Sequence, residues 1–293
     1  MATTSDAIRT TRTNVTFRSR AAQIAGYREL LVNLVRKELK VRYKNSVLGF
    51  VWSLVNPAVT IAVYYVIFGF VFKSAIPAFA IFLFSGVLVW NMFNTALSAT
   101  VGSVVGNAPL VKKVWFPREI LPLAAVGAAM VDFFLQALVL IAVLVIFRWP
   151  VAWSYLPLIP VALVVVVLLS TAIGVWLAAV NVRYRDVQHF LAIALMVWFW
   201  GTPIIYSFSA VSKKLAVHGL GNLQLINPMT SIVLAFQRAI YNKGPNGTTH
   251  ILPVQSFWWY LGLLGAVGGF SIALLLVTAR VFRHLEGDFA EAL

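Results

Sequence analysis

Long apolar runs, separated by short polar connections, constrain this chain more than any other feature of its sequence. The run across 46–72 has no charged side chain at all. About 20 apolar residues in a row are enough to cross the hydrocarbon of a bilayer as a helix, with every backbone N–H and C=O bonded internally. Runs of that length, or a little more, fall near 47–72, 79–105, 119–147, 155–180, 189–208 and 256–280. They predict an all-α integral membrane protein with six transmembrane helices. Composition agrees: 61% of residues are hydrophobic and 11% charged, against about 25% charged in a soluble domain, and the mean hydropathy is +0.88. At 293 residues the chain holds one membrane domain, here 47–293, and no large soluble one. It has no cysteine, so neither disulfides nor thiolate metal sites are expected.

An even number of spans puts both termini on one side, and cation placement predicts which. The segment 1–46, the connections after spans 2 and 4 (Lys112, Lys113, Arg118, Arg183 and Arg185) and the C-terminal segment (Arg280 and Arg283) hold 17 of the 23 Lys and Arg. The other side holds Lys73, Arg148, Lys213, Lys214, Arg238 and Lys243. Positive charge marks cytosolic loops, so both termini are expected in the cytosol. The net charge of +14 then reports topology, and no nucleic-acid partner is expected.

Before the first span lie a basic cytosolic tail, 1–26, and an amphipathic stretch, 27–46. In the latter Tyr27, Leu30, Leu31, Leu34, Val35 and Leu39 recur at helical spacing, with Glu29, Asn33, Arg36, Lys37, Lys40 and Lys44 opposite. Such a helix lies along an interface, apolar face inward and cations toward lipid phosphates; a plain anchor has the same pattern. The connection across 209–255 is long for a loop. Within it Asn227-Pro228 opens a helix, Ile232, Val233, Phe236 and Ile240 form its stripe, and Lys243-Gly244 closes it. Too short and mixed to span, it predicts a re-entrant or interfacial helix between spans 5 and 6, on the outer side.

Catalytic chemistry is sparse. Asp132 is the acid that sits deep in a span, with Gln136 one turn on; an acid there costs about 2.5–3.5 kcal/mol to insert. It fits a proton or cation site, an interhelical hydrogen bond or a residue facing a wet channel. The four histidines have no metal-ligand spacing, and no GxxxxGK[ST] phosphate loop occurs. No catalytic residue, metal or cofactor is therefore expected in the chain itself. Two polar stripes stand out: Ser53, Asn56, Thr60 and Tyr64 in span 1, and Asn91, Asn94, Thr95 and Ser98 in span 2. Such stripes glue helices together or line a polar path. Trp90 and, in span 5, Trp200 add rings of the kind that stack on sugars.

Four strings in order carry a family resemblance: "RELLVNLVRKELKVRYKNSVLGFVWSLVNP" (28–57), "VKKVWFPREILP" (111–122), "NVRYRDVQHF" (181–190) and "INPMTSIVLAFQRAI" (226–240). Together they resemble the permease subunit of bacterial ABC-2-type polysaccharide exporters, over nearly all of the chain after residue 25. The resemblance implies a bacterial inner-membrane channel built from two copies of the permease. Two separate cytosolic ATPase subunits, binding ATP and Mg, would drive it. The substrate would be a lipid-linked polysaccharide such as O-antigen, capsule, teichoic acid or cell-wall galactan. The stretch around 107–115 would dock into the ATPase beside the 27–44 helix, with Leu110, Lys112, Lys113, Trp115, Arg118, Glu119 and Glu38 at or near that contact. The string 226–240 resembles the outer gate helix. A small-solute exporter of the same broad fold, or a membrane-bound transferase acting on lipid-linked sugar, are the alternatives; the transferase needs an acid cluster that is missing here.

Overall fold

The computed structural model describes residues 17–42, 51–71, 76–241, 251–287 and 289, with the side chains of all but 17–21, 53, 56 and 57. The described residues form helices and turns, and no strand occurs among them. Helices α1 (Phe17–Gly26) and α2 (Arg28–Arg42) precede α3 (Trp52–Tyr64), which runs on into a wider π-helical stretch, Tyr65–Val71. α4 (Phe79–Gly106), the short α5 (Ala108–Lys113) and α6 (Ile120–Ile146) follow. After a single turn at Trp153–Tyr155 come α7 (Leu158–Arg183), α8 (Val187–Trp200), α9 (Phe208–Ala216), α10 (Pro228–Ile240) and α11 (Phe257–Glu286).

Among the described residues, four helical segments are long and apolar enough to cross a membrane: Phe79–Gly106, Ile120–Ile146, Trp153–Arg183 and Phe257–Glu286. The other two expected spans are represented by shorter apolar helices, Ala58–Val71 and Val187–Trp200. At 14 residues, α8 is about 21 Å long, short of the roughly 30 Å hydrocarbon core. The run expected across 189–208 is interrupted because Gly201, Thr202 and Pro203 end the helix. A proline disfavours helical geometry in the residue before it, although Ile204 and Ile205 keep the sequence apolar.

α4 is the hub. It packs against α3, α6, α7, α8 and α10, while α7 packs along α11. Gly174 of α7 lets that helix approach α4 closely: a Cβ there would stand 2.6 Å from Thr100 Cγ2. One large apolar core runs through the bundle, with Phe82, Leu83, Val89, Phe93, Leu97, Val166, Leu169 and Phe236 fully buried. A second, smaller core gathers Leu34, Val104, Val111, Phe116, Ile120, Val182, Phe282 and Phe289. That core marks the terminal end of the bundle, where α2, α5 and the close of α11 meet. The opposite, far end is sewn together by its turns: Ala152 N–H donates to Ala239 O at 3.0 Å, and the Tyr241 hydroxyl to Pro77 O at 2.7 Å.

The amphipathic helix is present as α2, but it lies lengthwise on α6. Val35 sits over Gly127, where a Cβ would come within 2.9 Å of its Cγ2, and Arg42 pairs with Asp132. Asp132 is twelve residues into α6, about 18 Å along it. Lys37, placed by periodicity among the cations turned to lipid, donates instead to Asn107 Oδ1; Arg36 and Lys40 are exposed. Lys44 lies outside the described residues.

Candidate functional site

The aromatic residues of α3, α4 and α8 form one continuous row. Tyr64 of α3 stacks on Phe199 of α8, centroids 5.9 Å apart and planes 20° from parallel. Phe199 meets Trp90 of α4 edge-on at 5.4 Å and Trp200 edge-on at 5.9 Å. Trp90 continues to Phe93 at 5.8 Å, and Phe93 to Trp198 at 5.1 Å. Trp90 is buried, Tyr64 half-buried, and Trp200 exposed at 53%. The row therefore begins in the core and opens onto the surface of α8, where Phe190, Ile193, Met196 and Val197 are exposed as well. Phe199 is its centre. The signal for it was the triplet Trp198-Phe199-Trp200, of which periodicity could not choose the inward member.

The polar stripe of α4 divides. Asn91 Nδ2 donates to Gln136 Oε1 of α6 at 3.3 Å, joining two helices. Ser98 Oγ donates to Asn94 Oδ1 at 3.3 Å within α4, and Ser98 is exposed. On α3, Thr60 is half-buried; the side chains of Ser53 and Asn56 lie outside the described set. Asp132 is paired with Arg42, so its charge is compensated and the acid is not isolated. Of its three readings, the interhelical bond is the one the structure contains.

At the terminal end, Asn107 and Pro109 open α5. Asn107 Nδ2 donates to Ser103 O at 2.8 Å. Val111 is buried in the second core and Leu110 packs against it, so Lys112, Lys113, Val114 and Trp115 are turned outward. Trp115 is 72% exposed, a large apolar side chain left open by the described residues. Arg118 and Glu119 behave differently. The Arg118 guanidinium donates to Glu286 O and lies 5.7 Å from the Phe289 ring centre; Glu119 is 7% exposed at the head of α6. Both hold the C-terminal part of the chain to the bundle or lie in its interior. Glu38 is half-buried on α2.

At the far end α10 is buried along its whole length from Met229 to Ile240. Asn227 caps it, accepting from Met229 N at 3.0 Å. The same amide ties α10 to the close of α8: Trp198 Nε1 donates to Asn227 Oδ1 at 2.7 Å, and Asn227 Nδ2 donates to Thr202 Oγ1 at 2.9 Å. Gln237 Nε2 donates to Pro203 O at 3.3 Å. Helix and turn thus form one unit placed over the aromatic row. Its expected end at Lys243-Gly244 lies outside the described residues.

Among the described residues no group of His, Asp or Glu has the arrangement of a metal site. A groove of about 530 Å³ beside Trp198 and Pro228 is lined by Leu169, Ile173, Val267 and Phe270, none of which can act on a sugar.

The family described as ABC-2 type transporter matches residues 29–241. The chain is 33% identical over 269 residues to the O-antigen export system permease protein RfbA of Myxococcus xanthus, covering 91% of this chain and 96% of that one. It is 30% identical over 265 residues to the O-antigen export system permease protein RfbA of Klebsiella pneumoniae, covering 90% and 95%. It is 21% identical over 218 residues to the polysialic acid transport protein KpsM of Escherichia coli, covering 71% and 79%. With its apolar helical bundle and a match spanning most of its length, this multi-pass membrane chain belongs to the ABC-2 type transporter family.

Proposed function

We propose that this chain is the channel-forming permease of an ATP-driven exporter that moves a lipid-linked polysaccharide out of the cytosol. The observation that carries the reading is the aromatic row from Trp90 through Phe199 to Trp200, in a chain whose relatives along nearly its full length are O-antigen export permeases. A polymer has to slide. Ring stacking depends little on register, whereas a deep hydrogen-bonded pocket would trap the chain. The row opens onto an apolar surface of α3 and α8, which suits a channel closed by a second copy of the chain.

Six spans follow if α3 with its π-helical extension and α8 with the turn after it each complete a crossing inside the dimer. Both termini then face the cytosol. The exposed patch Lys112, Lys113, Val114 and Trp115, with α2 alongside, is the surface for one of two ATPase subunits, which bind ATP and Mg. Arg118 acts there by tying the C-terminal part of the chain to the bundle, and Glu119 from the buried head of α6.

The experiment is export of long polymer measured per folded complex. Tyr64→Ala with Trp200→Ala should cut export strongly while the complex still assembles, and Tyr64→Phe should be mild. Normal export by the double variant ends the reading of the row as a substrate path. A transport defect for small solutes instead of polymer would favour a small-solute exporter.

A further inference from the structure

The nine acids of the chain are Asp6, Glu29, Glu38, Glu119, Asp132, Asp186, Glu286, Asp288 and Glu291. None lies between Glu38 and Glu119, between Asp132 and Asp186, or between Asp186 and Glu286. The turns of the far end all fall in those intervals, so that end carries Lys and Arg and no carboxylate. Most of its described cations are exposed. Arg238 of α10 is the exception, at 9% exposure. Its guanidinium carbon lies 4.5 Å from the centre of the Tyr155 ring, and its Nε has no hydrogen-bond partner among the described residues. The two nearby phenols are engaged elsewhere: the Tyr155 hydroxyl donates to Gln255 O at 2.9 Å and the Tyr260 hydroxyl to Pro253 O at 2.7 Å.

A guanidinium stays charged at any physiological pH. One tyrosine face returns less than its dehydration costs. The far end of a second copy alongside is equally free of acids. The counter-ion must therefore come from outside the protein, and the surroundings indicate which. Trp153, on the same turn as Tyr155, is 78% exposed, and Trp258, next to Phe257, is 74% exposed; Phe257 itself packs on Tyr155 at 6.3 Å. Exposed indoles at helix ends mark the head-group level of a bilayer. The anion at that level is phosphate, whose oxygens match the planar fork of arginine.

We propose that Arg238, held against Tyr155, is a binding site for the phosphate of an amphiphile at the far end of the bundle. A bilayer phospholipid and a phosphorylated lipid carrier present the same chemistry. The site deepens the exporter reading and rests on it only for which leaflet supplies the phosphate.

The test is ligand binding by the purified full-length chain in neutral detergent, followed by thermal unfolding across a ligand titration. Phosphatidylglycerol is compared with diacylglycerol, a polyprenyl phosphate with its polyprenol, and inorganic phosphate with buffer. The phosphate-bearing lipid should stabilise the wild-type chain, and its phosphate-free counterpart should not. Arg238→Gln should weaken that binding about tenfold or more, Arg238→Lys less, and Lys213→Gln with Lys214→Gln should leave it unchanged. Tighter binding of phosphatidylglycerol or of polyprenyl phosphate identifies the source. Equal binding of phosphate-bearing and phosphate-free lipids by the wild type overturns the proposal, whether or not any variant folds. So does wild-type affinity in Arg238→Gln, and inorganic phosphate binding as tightly as either lipid overturns the amphiphile. Neither the ATPase nor transport enters the measurement, so failure of the exporter reading would not move it.

Discussion

The pair Arg42–Asp132 fixes where α2 sits on α6, and its removal has a calculable cost. Asp132 keeps 7% of its side chain exposed and Arg42 30%. Breaking a buried ion pair from one side costs about 3–5 kcal/mol, because the other charge is left uncompensated. Arg42 is partly exposed, and Asp132 has further polar interactions. Both reduce the expected cost of Arg42→Gln to about 2–3 kcal/mol. Asp132→Asn is milder, about 1 kcal/mol, because it keeps an acceptor and Arg42 can turn to solvent. The double variant replaces a charged hydrogen bond by a neutral one. It should cost about 1–2 kcal/mol instead of the sum of the singles, a coupling of roughly 2 kcal/mol. That is about a thirtyfold effect on the unfolding equilibrium. Unfolding in mixed micelles, followed by helical circular dichroism, measures all four corners of the cycle. Additivity within about 0.5 kcal/mol would refute the pairing. Equal costs for the two single variants would show that the Asp132 charge is not what Arg42 holds.

Gly174→Ala should destabilise by about 1–3 kcal/mol through overpacking, since the new Cβ would stand 2.6 Å from Thr100 Cγ2; Thr100→Ala in the same chain should restore most of the loss, read as thermal midpoints. The chain has no native cysteine, so single cysteines report topology cleanly. An impermeant maleimide added outside intact cells should label a cysteine at Lys213 and spare one at Lys112; the reverse pattern would invert the proposed orientation.

The four long helices were legible because apolar content and length suffice to specify them. The predicted 79–105, 119–147, 155–180 and 256–280 differ from the observed bounds by a few residues at most ends. The helix 228–240 was legible from its Asn-Pro cap and its stripe. The fifth helix ends sooner than the apolar run because Ile204 and Ile205 continue that run past the residues that stop the helix. Periodicity showed that α2 has an apolar face but not what covers it, which is α6, some ninety positions away. For Arg118 and Glu119 a sequence shows charge without exposure; Glu119 is buried and Arg118 is bonded to Glu286. Three consecutive aromatics ending at Trp200 advertised a ring-rich surface; that Phe199 is the shared member is a matter of helix rotation against α3 and α4.

The absence of carboxylates from the far end also sets how that end responds to acid. With no Asp or Glu in the turns of this end, acidification has no carboxylate there to protonate. Calcium and magnesium, which take oxygen ligands and favour carboxylates, have no acidic side chain to bridge there. The face keeps one electrical sign from neutral to acidic surroundings, whatever the divalent-ion content of the medium.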